Sequence, residues 1–395
     1  MLHKLIDHSP DLKRLRDEGF EVRIKGTHVL VGNVPYVNPN MEVCYGTLVT
    51  DLTIAGEKTG APRDHVIYFI GDQPCHKDGS IITAIVHGQN KTLIADGIEI
   101  DRSFSNKPAN GYPDYYQKFT TYINIISGPA QSIDGSAKAQ TFRLVESEDP
   151  DSSLNYPDTN SSRAQISTLT AKLKGKRIGI VGMGGTGSYI LDFVSKTPVS
   201  EIHLFDKDEF LLHNAFRAPG APTIDVLKEI KSKVNYFSDI YSRMHKGIKA
   251  HNEYITNLNL SKLENLNFVF ICIDKGSVKK EIINYLTDHK IGFIDVGIGI
   301  EISENGSLLG MLRVTSCTDG KSNHIFSKGR ISFAEANEED LYSKNIQIAE
   351  LNALNASLAI IKWKKLNGFF YDAEKEKHSL YSIEDNSIIN DDIEA

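Results

Sequence analysis

Two rhythms of apolar and polar positions divide this chain. In the second half, short apolar runs alternate with longer stretches of helical period. Arg177-Ile-Gly-Ile-Val181, Glu201-Ile-His-Leu-Phe205, Phe268-Val-Phe-Ile-Cys-Ile273, Gly292-Phe-Ile-Asp-Val296 and Met311-Leu-Arg-Val-Thr315 read as strands. Between them, Thr186 to Lys196 reads as a helix ended before Pro198, Ile224 to Met244 as one long amphipathic stretch, and Ser277 to His289 as a further helix. A last helix is predicted from about Asn345 to Leu366, its core stripe being Ile346, Ala349, Ala353, Leu354, Leu358 and Ile361. Strand and helix in alternation predict an α/β fold with a doubly wound, mostly parallel, Rossmann-like sheet, because parallel neighbours need a crossover that a helix supplies.

The first half is punctuated differently. Val29-Leu-Val31, Val66-Ile-Tyr-Phe-Ile70 and Ile81-Ile-Thr-Ala-Ile-Val86 are short strand-like runs separated by Gly, Pro and Asp. One helix is expected after Pro113, where Tyr115, Tyr116, Phe119, Tyr122, Ile123 and Ile126 recur at three- and four-residue steps. This pattern predicts a mixed, β-rich domain. The run from Glu146 to Ser162 holds almost no apolar side chain and two prolines, as an exposed connector would. The expected organisation is a β-rich domain over 1–147, a linker over 148–162, the α/β domain over 163–382 and a mobile acidic tail over 383–395.

Length agrees with two domains, since 395 residues exceed the roughly 100 to 200 of a single one. A formal charge of -7 and a pI near 6.0 argue against a protein built to neutralise nucleic-acid phosphates. No run reaches the roughly 18 apolar residues that a membrane span needs. Cys44, Cys75, Cys272 and Cys317 form no CxxC pair, so neither a disulfide framework nor a zinc site is read from them. A cytoplasmic, unexported protein is expected.

Candidate chemistry begins at Gly182-Met-Gly184-Gly185-Thr-Gly187, which comes directly after a predicted strand and opens a predicted helix. Glycines there let the backbone bring its N–H groups against phosphate oxygens at the positive end of a helix. Asp206 closes the next strand 24 residues after Gly182, near the roughly 20 expected of an acid that grips a ribose hydroxyl. So far an NAD-dependent dehydrogenase and an ATP enzyme fit equally.

The residues beyond Asp206 separate the two. Asp206-Lys-Asp208 and then Asn214-Ala-Phe-Arg217 resemble the D-x-D and N-x-x-R block of the E1/ThiF/MoeB superfamily. Ser162-Arg163 resembles that family's S-R-Q entry, with Ala164 intervening before Gln165; Lys233-Val234 matches its helical lysine, and Asp274 its magnesium-associated aspartate. The resemblance covers about Arg163 to Thr315 and implies ATP and Mg²⁺ as cofactors. It implies adenylation of the C-terminal carboxylate of a small ubiquitin-like, β-grasp protein, with an E2-like conjugating protein as a further partner. Attack on the α-phosphorus builds negative charge, so Arg217 and Lys233 are suitable clamps, Asp274 a suitable Mg²⁺ ligand, and Asn214 a hydrogen-bonding partner of phosphate or metal-bound water. In relatives the arginine matching Arg163 reaches the partner protomer's nucleotide site, which implies a homodimer. Alternatives are activation of another carboxylate, a sulfur-carrier pathway enzyme, or a non-catalytic nucleotide-binding scaffold.

A thioester step would need a partly exposed thiol in electropositive surroundings. Cys317 is the candidate, expected in the polar loop Ser316-Cys-Thr-Asp-Gly-Lys321 with His324 nearby, while Cys272 is expected in a buried strand. Cys75 beside His76 is a weaker pair, since adjacent residues of an extended chain point to opposite faces. Phe104 to Tyr112 resembles uncharacterised N-terminal extensions of some bacterial ThiF-type proteins. Docking of the protein substrate or a partner enzyme is the role expected of this half.

Overall fold

Two separate cores organise the chain. The computed structural model describes residues 2–145, 152–334 and 346–393. One unit comprises Met1–Asp151 with Tyr156–Ala164, and the other Ser152–Asn155 with Gln165–Ala395. Residues 146–151, where the expected connector begins, lie outside the described residues. Its later part is not a bare linker. Asn155 donates its N–H to the Met244 carbonyl at 2.9 Å in the second unit, while α4 (Thr159–Arg163) belongs to the first.

In the first unit, helices α1 (Leu2–His8) and α2 (Pro10–Asp17) precede strands β1 (Glu21–Lys25), β2 (His28–Val37) and β3 (Val43–Asp51). A small hairpin, β4 (Ile54–Ala55) and β5 (Lys58–Thr59), leads to β6 (Val66–Ile70) and β7 (Val86–Gly88). A second hairpin, β8 (Thr92–Ala95) and β9 (Ile98–Ile100), is followed by β10 (Arg102–Ser105) and helix α3 (Tyr115–Ile133). The main sheet has the order β1-β2-β3-β6-β10-β7, antiparallel throughout. The stripe predicted for α3 is real: Tyr115, Phe119, Tyr122, Ile123 and Ile126 share one core with Val31, Leu48, Ile67 and Phe69. Lys118 is buried in that interface, its Nζ donating to Thr50 Oγ1 at 2.7 Å and to the Asp64 carbonyl at 3.1 Å. The run Ile81–Val86 is not a strand; Thr83–Ile85 forms a single 3₁₀ turn and β7 begins at Val86.

The second unit opens with α5 (Ser167–Thr170) and continues as β11 (Arg177–Val181), α6 (Gly185–Val194), β12 (Glu201–Phe205), α7 (Leu212–Ala215), α8 (Ile224–Lys228) and α9 (Lys233–Tyr241). Then come β13 (Ile248–His251), β14 (Phe268–Ile271), α10 (Gly276–Asp288), β15 (Gly292–Ile302), β16 (Leu308–Cys317) and α11 (Asn323–Ser327). Helix α12 (Ala349–Leu366) and the hairpin β17 (His378–Ser382) and β18 (Ser387–Asp391) complete it. The sheet order is β13-β12-β11-β14-β15-β16-β17-β18, parallel through β15 and antiparallel beyond. Chain order reverses between β11 and β14, which opens a crevice at their carboxyl ends. All four residues of β14 are buried, as a strand covered on both faces requires. One covering layer includes Leu191, Val234, Ala359 and Trp363; the other includes Ile282, Leu286 and Ile325.

Three expectations change here. The stretch 224–244 is two helices, α8 and α9, because Ile230 takes a left-handed φ of 46° and the break pairs with the chain after β12: the Phe210 N–H donates to the Lys231 carbonyl at 2.8 Å. The buried face of α12 is Asn352, Asn355, Ala356, Ala359, Ile360, Lys362 and Trp363, while the expected core residue Ile361 is 43% exposed. The acidic tail carries regular structure through its described length: Ser387–Asp391 pairs along β17, and the Arg330 guanidinium bridges Asp391 at 3.0 Å and Asp392 at 2.9 Å. Residues 394 and 395 lie outside the described residues.

Removing residues 384–395 strips β17 of its neighbour and Arg330 of both carboxylates. Unfolding free energy in urea should fall by about 2 kcal/mol or more, whereas a mobile tail would leave it unchanged. A second prediction concerns His378, buried between β16 and β18 and bonded through Nδ1 to Thr315 Oγ1 at 2.9 Å. Burial, then Arg330 and Arg313, push its pKa from 6.5 down to about 4. Between those values the unfolded chain binds a proton that the folded one does not, so stability falls as pH drops through that window. His378→Asn should flatten this part of the pH profile of thermal unfolding.

Candidate functional site

The loop after β11 is shaped by what surrounds each glycine. Gly182 has a φ of 94°, and a Cβ there would lie 2.6 Å from the Cys272 carbonyl oxygen. A Cβ on Gly187 would collide with the Gly182 carbonyl, and one on Gly185 with the Asn352 amide. Packing alone therefore requires these three. Around Gly184 a Cβ would meet nothing within 4 Å, so this N-cap of α6 is the open face of the loop.

Asp206 closes β12 and is 6% exposed. Its Oδ2 accepts the Met183 N–H at 2.7 Å and its Oδ1 the Asp208 N–H at 2.8 Å, so the carboxylate joins the glycine loop to the D-x-D turn. Burial raises its pKa against the opposing pull of Lys233 and these two amides. The break between α8 and α9 delivers Lys233 to the same place: its N–H donates to the Asp208 carbonyl at 2.8 Å and its Nζ to Asp208 Oδ2 at 2.6 Å, with Asp206 at 3.9 Å. The Tyr254 hydroxyl donates to the other Asp208 oxygen, and Lys275 Nζ lies 5.3 Å from the Tyr254 ring centroid. Burial would raise the Asp208 pKa, but hydrogen bonds from Lys233 and Tyr254 hold it below the ordinary aspartate value.

Arg217 leaves the turn after α7. Burial disfavours its charged form, opposed by the charges of Asp274 and Asp208. Its Nε is buried and has no hydrogen-bond partner among the described residues. Asn214 is 3% exposed and its Oδ1 accepts the Leu211 N–H at 2.8 Å, capping its own turn. Asp274 comes after β14 and is exposed. Among the described residues no three His, Cys, Asp or Glu side chains gather as a metal cage. An exposed carboxylate at a strand end suits Mg²⁺, which commonly takes one or two protein carboxylates and otherwise water and phosphate oxygens.

Two expected residues stand apart. Arg163 ends α4 in the first unit, is exposed, and lines an open cleft with Asp17, Glu18, Lys138 and Phe142. Cys317 is not in a loop: β16 extends two residues beyond the predicted Thr315 and ends on it, leaving it 2% exposed. Burial pushes its thiol up to about 11, and His324 is turned to the Ser316 carbonyl, 3.0 Å from Nε2. Cys272 lies just past β14 with burial raising its pKa. Cys75 is buried, its thiol donating to the Gln73 carbonyl at 3.3 Å, whereas His76 is exposed.

Residues 160–316 match the ThiF family, and residues 10–159 match a domain of unknown function, DUF6791. This chain carries a ThiF-family domain. No curated protein matches the chain. Similar solved structures include selenomethionine PaaA, at 17% identity and a TM-score of 0.45 over 57% of this chain and 75% of that one. E. coli MccB with ATP is similar at 14% identity and a TM-score of 0.45, over 59% of this chain and 69% of that one. E. coli MccB with AMPCPP and selenomethionine MccA is similar at 14% identity and a TM-score of 0.45, over 73% and 79%. Among the described residues, no helix is long and apolar enough to cross a membrane.

Sequence reasoning missed Tyr254, Lys275 and Asn352 in the second unit. Nothing in local pattern marks Tyr254, which meets Asp208 from 46 residues away. Lys275, next to Asp274, could have been read as a third cation. For the thiols, native-state alkylation at neutral pH should label half-buried Cys44 well before Cys75 and Cys317. Peptide mapping by mass spectrometry checks the order, and rapid labelling of Cys317 would contradict the burial described here.

Proposed function

We propose that this protein uses ATP to adenylate the C-terminal carboxylate of a small ubiquitin-like, β-grasp protein, releasing pyrophosphate. The observation that carries the reading is the Arg217 guanidinium, whose buried Nε lacks a partner among the described residues while Asp274 and Asp208 act on its charge. A half-buried cation whose buried Nε is an unused donor is an incomplete arrangement that a phosphate oxygen completes. The open Gly184 face and the amides at the start of α6 supply further donors for the same triphosphate.

In this reading the carboxylate oxygen of the substrate attacks the α-phosphorus, a new O–P bond forms, and the bond to pyrophosphate breaks. Arg217 and Lys233 stabilise charge that grows on phosphoryl oxygens and on the leaving group. Lys233 has three donors, so it keeps Asp208 and still meets a phosphate oxygen. Asp274 holds Mg²⁺, which when bound neutralises part of the phosphate charge. Asp206 keeps the loop in place and remains the candidate for the ribose. Because Cys317 is buried and its thiol pKa raised, the proposed product is the acyl adenylate itself, and any E2-like partner would receive the acyl group without Cys317. A homodimer in which the other copy supplies Arg163, and a docking role for the first unit, belong to the same proposal.

ATP–pyrophosphate exchange tests it. Exchange should depend on a small protein ending in glycine, and Arg217→Ala or Asp274→Ala should each lower it by about 100-fold or more with the unfolding temperature little changed. Exchange that persists in both variants would contradict the assigned roles.

A further inference from the structure

We infer that Asn352, on α12, is a positioning residue that locks the glycine loop and the Arg217 turn together through one side-chain amide. The inference rests on the adenylation reading and goes beyond it, since Asn352 lies in no motif that the sequence displays. It is completely buried on a helix face shared with Asn355, Ala356, Ala359, Ile360, Lys362 and Trp363. An amide in such a place is costly unless both its ends are bonded.

Both ends are used, and both point at the site. Oδ1 accepts the Thr186 hydroxyl at 2.9 Å, and Nδ2 donates to the Arg217 carbonyl at 3.4 Å. Thr186 is the second residue of α6, and Gly185 before it is the glycine whose missing Cβ makes room for this amide. One glycine of the motif is therefore reserved for Asn352, which leaves Gly184 as the face open to phosphate. The Arg217 backbone is held by the same side chain while its Nε is unpartnered. Donors fixed before the ligand arrives bind it with less loss of conformational freedom, so the amide acts on nucleotide affinity without touching the nucleotide.

Helix α12 also carries an internal comparison. Asn355, one turn on, is equally buried but donates to the Gly297 carbonyl at 3.1 Å, which holds β15 and not the loop. Loss of Asn355 should cost stability without the same cost in affinity.

The test is MgATP binding to the full chain by calorimetry, with thermal unfolding measured alongside. Thr186→Val should weaken binding about fivefold and Thr186→Ser restore it, as loss and recovery of one hydrogen bond imply. Asn352→Ala should weaken it at least as much, and the combined Asn352→Ala, Thr186→Val variant should be no worse than Asn352→Ala alone, because the two share one contact. Asn355→Ala should unfold at lower temperature yet bind within about twofold of the unaltered chain. Wild-type affinity in Thr186→Val, or an equal loss in Asn355→Ala, overturns the inference, and Thr186→Val decides the matter if Asn352→Ala does not fold. Absence of MgATP binding by the unaltered chain would instead overturn the adenylation reading, and this inference with it.

Discussion

The site depends on one buried carboxylate. Asp206 sits where β12 ends, and its two oxygens are taken by the Met183 and Asp208 amides. A charge so placed is tolerable only because those donors and Lys233 compensate it. The same bonds fix the turn of the glycine loop and the start of the segment that carries Asn214 and Arg217. Remove the carboxylate, and neither side of the crevice has a defined position.

Around it, the fold brings four separate chain segments to one edge. The switch between β11 and β14 leaves their carboxyl ends uncovered, so the glycine loop, Asp274 and Lys275 meet there. The left-handed backbone at Ile230 interrupts what would be a long helix, and the interruption places Lys233 against Asp208. From the far side, α12 contributes Asn352. Cationic groups at Arg217, Lys233 and Lys275 thus lie with the carboxylates Asp206, Asp208 and Asp274 at the edge where the Gly184 face is open.

Much of this was legible in the residues. Arg177–Val181 and Glu201–Phe205 are strands with the predicted ends, because continuous apolar runs between a charged start and a glycine or acid leave little freedom. Asp206 was readable from its spacing to the glycines, whereas Asp208, Arg217, Lys233 and Asp274 stood out only by their resemblance to a family motif block. The misreadings share a cause, which is that pattern reports local preference while tertiary contacts decide. Two buried asparagines made the true face of α12 look polar, and the stripe was drawn one step round the helix toward exposed Ile361. Polar neighbours made Cys317 look like a loop thiol, yet Phe293 pairs opposite it and β16 continues to that point. An acidic tail looked unfoldable, although Arg330 and Lys328 were available to neutralise it.

A crystal of the chain grown with Mg²⁺ and a non-hydrolysable ATP analogue tests the central claim most directly. The account predicts the triphosphate lying across Gly184, with Arg217 Nε and Lys233 Nζ within hydrogen-bonding distance of its oxygens and Asp274 on the metal. A nucleotide bound elsewhere, or a triphosphate from which Arg217 and Asp274 both turn away, would contradict it.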